Sequence, residues 1–234
     1  MSVLEERLAA VNAAIADAAR EVGRDPGEIT LEAATKTQTA DTVRAAIQAG
    51  VAVCGENRVQ ELVQKLDAFA YDGAREVHFI GHLQTNKVRQ LIRLRPALIE
   101  SVDTDRLLSV IDAEAAKEGV VQNVLMQLHV AREETKFGFS PDELLKYFSE
   151  RRFENLKATH ICGVMGMASN TDYESRVLED FRLISDTFRE IGRMCPDLRG
   201  FDTVSMGMSH DYLMAVDCGS TMVRVGTAIF GDRY

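Results

Sequence analysis

The sequence predicts the α/β class and a single (β/α)8 TIM barrel over residues 1–234, with an extra N-terminal helix ahead of the first strand. Three observations lead there. Eight short apolar runs recur along the chain, and a helix-like stretch separates each from the next. Strands that alternate with helices throughout imply parallel pairing through right-handed crossovers. The 234 residues hold no second composition block and no Pro/Ser-rich linker, with only 4 prolines. Eight units in one such block close a barrel rather than spread into an open doubly wound sheet.

The elements follow in order. Residues 2–22 repeat Val3, Leu4, Leu8, Val11, Ile15, Ala18, Ala19 and Val22 at helical spacing, which is one long amphipathic helix. Gly23 ends it, Asp25-Pro26-Gly27 turns the chain, and 29–35 reads as the first strand. The later strand-like runs are 51–54, 77–80, 98–102, 123–130, 158–163, 203–206 and 222–225. Helix entries between them carry capping residues. Thr39 or Asp41 precedes 43–49, Thr104 precedes 107–117, and Ser140-Pro141-Asp142-Glu143 puts proline at the first helical position with acids in the first turn. Across 173–194, Val177, Leu178, Phe181, Ile184, Phe188 and Ile191 share one face, as a helix lying on a sheet requires.

Composition narrows the function classes. Hydrophobic residues make up 46% and charged residues 27%, enough for a full core and far from a disordered chain. A net charge of −9 repels nucleic-acid phosphates and anionic lipid, so neither is an expected partner. The N-terminus lacks a basic region followed by an apolar one, and no run approaches a membrane span, so a soluble cytoplasmic protein is expected. Cys54, Cys162, Cys195 and Cys218 lie far apart, with no C-x-x-C, and read as reduced thiols with no metal.

In barrels of this type function sits on loops after the C-terminal ends of strands, often with phosphate held after strands 7 and 8. Strand 1 runs into Lys36, either a solvated strand-end lysine or an amine that a partly desolvated pocket makes nucleophilic toward an aldehyde. After strand 2, Gly55 allows a tight turn, and Asn57 either caps the next helix or offers its amide to a ligand. His78 reads as a core histidine more readily than as a catalyst. Strand 7 opens into Ser205-Met206-Gly207-Met208-Ser209 and strand 8 into Arg224-Val225-Gly226-Thr227. Small residues and hydroxyls there expose backbone N–H groups that bind a phosphate. Met165, Met167, Met206 and Met208 read as packing residues. Arg224 lies on an otherwise small and apolar strand, so it points into the barrel mouth toward a partner. An amine, a phosphate cradle and an inward arginine describe a site for a phosphorylated aldehyde, and pyridoxal 5′-phosphate fits.

Five segments, taken together, resemble the pyridoxal phosphate homeostasis proteins of the YggS/PROSC type, relatives of the alanine racemase N-terminal barrel. They are residues 34–37 (ATKT), 55–61 (GENRVQE), 78–87 (HFIGHLQTNK), 205–209 (SMGMS) and 219–231 (GSTMVRVGTAIFG). The resemblance covers nearly the whole chain. It implies that Lys36 carries pyridoxal 5′-phosphate as a covalent aldimine, and that Ser209, Gly226 and Thr227, with backbone near Met206 and Gly207, hold the phosphate. It also implies that Arg224 faces the pyridine nitrogen and that Asn57 lies near the ring. The chain departs from the family pattern at Thr35 for serine, His82 for proline and His129 for asparagine, and it keeps Glu133, Lys136 and Gly138.

A racemase of this fold takes a second acid/base, a tyrosine, from an additional C-terminal domain, whereas this chain ends at Asp232-Arg233-Tyr234, directly after the eighth unit. An arginine facing the ring nitrogen also weakens carbanion stabilisation. The expectation is a carrier or buffer of the cofactor in vitamin B6 homeostasis, without catalytic turnover, monomeric, meeting apo enzymes transiently. The alternatives are a racemase or decarboxylase using the cofactor, a Schiff-base aldolase of a sugar phosphate, and an interaction module with a vestigial pocket.

Overall fold

The computed structural model describes residues 2–131 and 137–231. Helix α1 (Val3–Glu21) opens with a reciprocal cap: Glu5 N–H donates to Ser2 Oγ at 3.3 Å, and Ser2 N–H donates to the Glu5 carboxylate at 2.6 Å. Strands and helices then alternate as β1 (Thr30–Ala34), α2 (Ala40–Gln48), β2 (Val53–Glu56), α3 (Val59–Asp67), β3 (Glu76–Phe79) and α4 (Val88–Leu94). They continue as β4 (Leu98–Val102), α5 (Asp105–Glu118), β5 (Gln122–Leu128), α6 (Pro141–Ser149), β6 (Thr159–Gly166) and α7 (Glu174–Met194). The last are β7 (Thr203–Ser205), α8 (Tyr212–Asp217), β8 (Met222–Val225) and α9 (Thr227–Phe230). Thr39, Thr104 and Ser140 cap α2, α5 and α6 through their hydroxyls, as their positions in the sequence imply.

The eight strands are parallel and close into a barrel, β1 pairing with β2 on one side and β8 on the other. The main core lies between the strands and the surrounding helices. A separate apolar layer of Leu98, Leu125, Met165 and Met222 comes from strands on different sides of the barrel and fills its lower interior. Helix α1 lies across α8 and α9, and just beyond it Arg24 donates to the carbonyls of Val216 at 2.9 Å and Ser220 at 2.8 Å. The chain's first helix thus covers the joint between first and last strands.

Two strands extend past the glycines that the sequence reading took as their ends. β2 runs through Gly55 to Glu56, because a Cβ at Gly55 would lie 1.9 Å from the Glu32 carboxylate; the missing side chain makes room inside the barrel. β6 runs through Gly163 to Gly166. An extra residue at Cys162 breaks register against β5, and Gly163 passes so close to β7 that a Cβ would meet the Thr203 carbonyl at 1.8 Å. All four cysteines are free thiols, Cys162 half-buried and the others buried. Among the described residues no helix is long and apolar enough to cross a membrane.

Candidate functional site

The C-terminal ends of the strands surround a pocket of about 250 Å³ whose wall includes Lys36, Ser209, Arg224, Gly226 and Thr227. Five of the residues singled out in the sequence therefore converge on one cavity, although β1 and β8 stand at opposite ends of the sequence. A larger cavity, about 640 Å³, opens at the other end of the barrel among the starts of β3 to β8 and contains none of them.

Lys36 is half-buried just beyond β1, and the residues around it are tightly held. The buried Thr35 hydroxyl lies 2.6 Å from Glu56 Oε1 and 3.2 Å from the Gly55 carbonyl. Lys65, itself only 6% exposed, donates from Nζ to the Thr35 carbonyl at 2.8 Å and to Glu56 Oε1 at 2.6 Å. Thr37 adopts a left-handed backbone with φ 66°, and its N–H donates to Glu61 at 2.9 Å. The strand end that presents Lys36 is thus clamped on both sides by α3 and β2.

Across the pocket, the N–H groups of Gly226 and Ala228 both point at Ser209 Oγ, at 3.0 and 3.5 Å. These are backbone donors at the start of α9, gathered where an anion would use them. Met206 is fully buried and Gly207 lies at φ 94°; both shape the β7–α8 turn without lining the pocket. A Cβ at Gly207 would meet Ala215 Cβ at 2.6 Å and Tyr212 Cα at 2.9 Å, so only glycine lets α8 approach this turn.

Arg224 is 5% exposed and well partnered, as a buried guanidinium must be. Nη1 donates to Ser205 Oγ at 2.5 Å and lies 3.6 Å from Glu100 Oε2, while Nη2 donates to the Gly166 carbonyl at 3.0 Å. The guanidinium plane is fixed against the pocket wall.

Asn57 departs from one of its two sequence readings, the capping one. It does not cap α3, whose N-cap position falls to Arg58 without any side-chain cap, and it does not line the pocket. Its backbone presses on Gly81, where a Cβ would lie 2.1 Å from the Asn57 carbonyl, and its buried Oδ1 has no hydrogen-bond partner. His82 pairs with Asp103 at 2.9 Å and stacks on Phe137 with centroids 3.8 Å apart. Glu133 and Lys136 lie outside the described residues.

Sequence reasoning missed His210, an exposed imidazole at the pocket rim, and the buried carboxylates Glu32, Glu56 and Glu100. Glu32 and Glu100 carried a legible signal: each is a lone charge on an apolar strand, the feature that marked Arg224.

The donor set suits a phosphorylated aldehyde: an amine held on one wall, a guanidinium beside it, and converging backbone N–H groups opposite. Residues 30–234 match the family model of the alanine racemase N-terminal domain. The chain belongs to this family. Within the alanine racemase N-terminal family it is similar to the pyridoxal phosphate homeostasis protein of Haemophilus influenzae, at 35% identity over 233 residues, covering 98% of this chain and 96% of the relative. Its fold is similar to that of PipY from Synechococcus elongatus PCC7942 with PLP bound, at TM-score 0.83 and 28% identity over 97% of this chain and all of that one. An alanine racemase of Clostridium difficile shares the fold at TM-score 0.66 and 13% identity, and the match covers 95% of this chain but 56% of the racemase.

Proposed function

We propose that this protein binds pyridoxal 5′-phosphate in the barrel mouth and serves vitamin B6 homeostasis as a carrier or buffer, without catalytic turnover of its own. The observation that carries the reading is the convergence of Lys36, Arg224, Ser209, Gly226 and Thr227 on one cavity of about 250 Å³. In this reading Lys36 attaches to the cofactor's aldehyde, the clamped strand end holding its backbone in place at the pocket wall. Ser209, Thr227 and the N–H of Gly226 hold the phosphate, with Met206 and Gly207 shaping the turn that supports them. Arg224 faces the pyridine nitrogen, and its permanent charge keeps that nitrogen unprotonated. The cofactor supplies an electron sink when bound, and an unprotonated ring weakens it, which favours storage over turnover. Asn57 supports the ring only if its unpartnered amide oxygen meets a bound ligand. The similarity to proteins named for pyridoxal phosphate homeostasis, and to PipY with PLP bound, supports the same reading. One barrel domain over 1–234, acting as a cytoplasmic monomer that meets apo enzymes transiently, completes the proposal.

A racemase or decarboxylase is the second reading, and His210 at the rim is the observation that favours it, as a potential second acid/base. The deciding experiment incubates purified protein and Lys36→Ala with pyridoxal 5′-phosphate and records the visible spectrum. A band near ~420 nm in the wild type that is absent from the variant supports attachment at Lys36. A band retained by Lys36→Ala overturns it. Turnover of amino acids that disappears in His210→Ala would establish the enzyme reading instead.

A further inference from the structure

Polar side chains run through the barrel core beneath the mouth in an unbroken row. His78 Nε2 lies 3.0 Å from Glu76, and Nδ1 lies 3.1 Å from Glu100 Oε1. Ser205 donates to Glu100 Oε2 at 2.6 Å, and Arg224 donates to Ser205 at 2.5 Å. Glu76 and His78 border the cavity at the barrel floor, while Arg224 borders the pocket at the mouth. Beside this row lies Glu32, fully buried, with Oε2 3.7 Å from His78 Nδ1 and no hydrogen-bond partner on either oxygen.

Charge accounting decides which groups are ionised. Both ring nitrogens of His78 face carboxylates, so both carry protons and the ring is an imidazolium. Glu76, at the partly exposed end of the row, also meets Arg75 at 3.3 Å, so inside the barrel the cations His78 and Arg224 face the two fully buried carboxyl groups, Glu100 and Glu32. Two carboxyl groups this close share one proton, and it falls on Glu32, because His78 and Ser205 hold the Glu100 oxygens while neither Glu32 oxygen has a hydrogen-bond partner. Burial, then the charge of Glu100, push Glu32 up from the ordinary carboxylate range. Burial works against Glu100 as well, but the hydrogen bond from His78 and the charge of Arg224 outweigh it and hold Glu100 down. Burial alone would lower His78, but its hydrogen bonds to Glu100 and Glu76 push it up to about 12. The other titratable neighbour is Cys54 on β2, which burial and the charges of Glu32 and Glu56 push up to about 12, so it stays neutral. Gly166 of β6 contributes only its carbonyl.

We propose that Glu100 is a positioning residue for the mouth: directly and through Ser205 it sets the orientation and field of the Arg224 guanidinium, while a protonated, uncharged Glu32 lets Glu100 keep its charge inside the barrel. The proposal rests on the reading of the mouth as a pyridoxal 5′-phosphate site, because the readout at Arg224 is the bound cofactor.

Three variants test it: Glu100→Gln, Glu32→Gln and Ser205→Ala. Glu100→Gln keeps the volume and an acceptor for Ser205 but leaves Arg224 without its anion. The positive field at the mouth rises and disfavours protonated cofactor. The pH midpoint of the visible band therefore falls by about one unit, a tenfold change in the proton equilibrium. Ser205→Ala shifts it the same way by less and reports on the row should Glu100→Gln fail to fold. Glu32→Gln replaces a neutral group by a neutral group, so the band and its midpoint stay as in the wild type.

The apo protein gives an independent readout. A carboxyl raised in the folded state contributes stability below its unfolded value and loses it as pH rises toward the folded one. Glu32→Gln lacks that dependence, so its melting temperature gains on the wild type between about pH 5 and 8. An unchanged midpoint in both Glu100→Gln and Ser205→Ala overturns the positioning role. A melting-temperature difference between Glu32→Gln and wild type that is flat in pH overturns the neutral Glu32. So does one equivalent of zinc or manganese retained by purified apo protein and lost in Glu32→Gln, since the two glutamates and His78 would then be ligands. If wild type binds no pyridoxal 5′-phosphate the cofactor reading fails and takes the positioning role with it, while the apo melting series still judges Glu32.

Discussion

Replacing Lys65 by methionine should destabilise the protein by about 3–5 kcal/mol, because it strands a buried carboxylate. The Lys65 and Glu56 side chains are 7% and 0% exposed, and their charged atoms lie 2.6 Å apart. Methionine preserves most of the volume and removes the charge, so Glu56 keeps the Thr35 hydroxyl as a hydrogen-bond donor but loses the one cation paired with it among the described residues. At about 2–4 °C per kcal/mol for a domain of this size, the melting temperature falls by roughly 6–20 °C. The double variant Glu56→Gln/Lys65→Met removes both charges, and its loss should be smaller than that of Lys65→Met alone by about 2–3 kcal/mol. Urea unfolding of wild type, both single variants and the double variant at pH 7 measures the coupling directly. Strand β1 loses its clamp at Thr35, so attachment of pyridoxal 5′-phosphate at Lys36 slows in Lys65→Met. A Lys65→Met protein within about 1 kcal/mol of wild type would refute the reasoning, since a desolvated, uncompensated carboxylate cannot be that cheap.

Gly207→Ala should cost about 2–5 kcal/mol, from a left-handed backbone at φ 94° plus contact with Tyr212 and Ala215; unfolding at the wild-type denaturant midpoint would contradict this. His82→Ala removes an imidazole that lies 2.9 Å from Asp103 but is 42% exposed, and should cost no more than about 1 kcal/mol in chemical denaturation, a loss well above that contradicting a solvent-screened pair. Burial raises all four thiols, Cys54 to about 12 and Cys162 to about 11. The native protein should therefore react slowly with a thiol-specific disulfide reagent at about pH 8 and faster as pH rises, with all four cysteines titrating at once in denaturant. A fast-reacting thiol in the native state at that pH would show a local environment different from the one described.

The barrel and most of its elements were legible because alternating apolar runs and capping residues are local signals. Thr39, Thr104 and Ser140 cap the helices they precede, and β4 spans the residues its apolar run marks. Glycine misled where its role was spatial. Gly55 and Gly163 look like punctuation in one dimension, but each sits within a strand where another part of the chain comes too close for a Cβ. Lys36 and Arg224 stood out as charges where a barrel strand meets its loop, and the structure brings them to one pocket. Glu32 and Glu100 carried similar local information, but their meaning depends on which strands face each other across the interior. That relation arises only on closure: His78, Ser205 and Arg224 come from three other strands. Asn57 was ambiguous because a polar residue ahead of a helix satisfies capping statistics; the close approach of Gly81 fixes its backbone instead.

The lid that α1 forms over the β1–β8 joint has a consequence for biosynthesis. Arg24 reaches carbonyls 192 and 196 residues further along the chain, and β1 finds its second neighbour only in β8. A nascent chain can pair β1 with β2 as soon as both emerge, yet the other edge of β1 stays unsatisfied until β8 follows, nearly two hundred residues later. During that interval an open parallel sheet exposes two ribbon edges, the condition that invites association with other chains. The amphipathic first helix is made before any strand, so it is available throughout that interval to shield the apolar surface near the first of those edges. Ribosome-bound chains truncated before β8, made with and without α1, would differ in aggregation long before either could bind a cofactor.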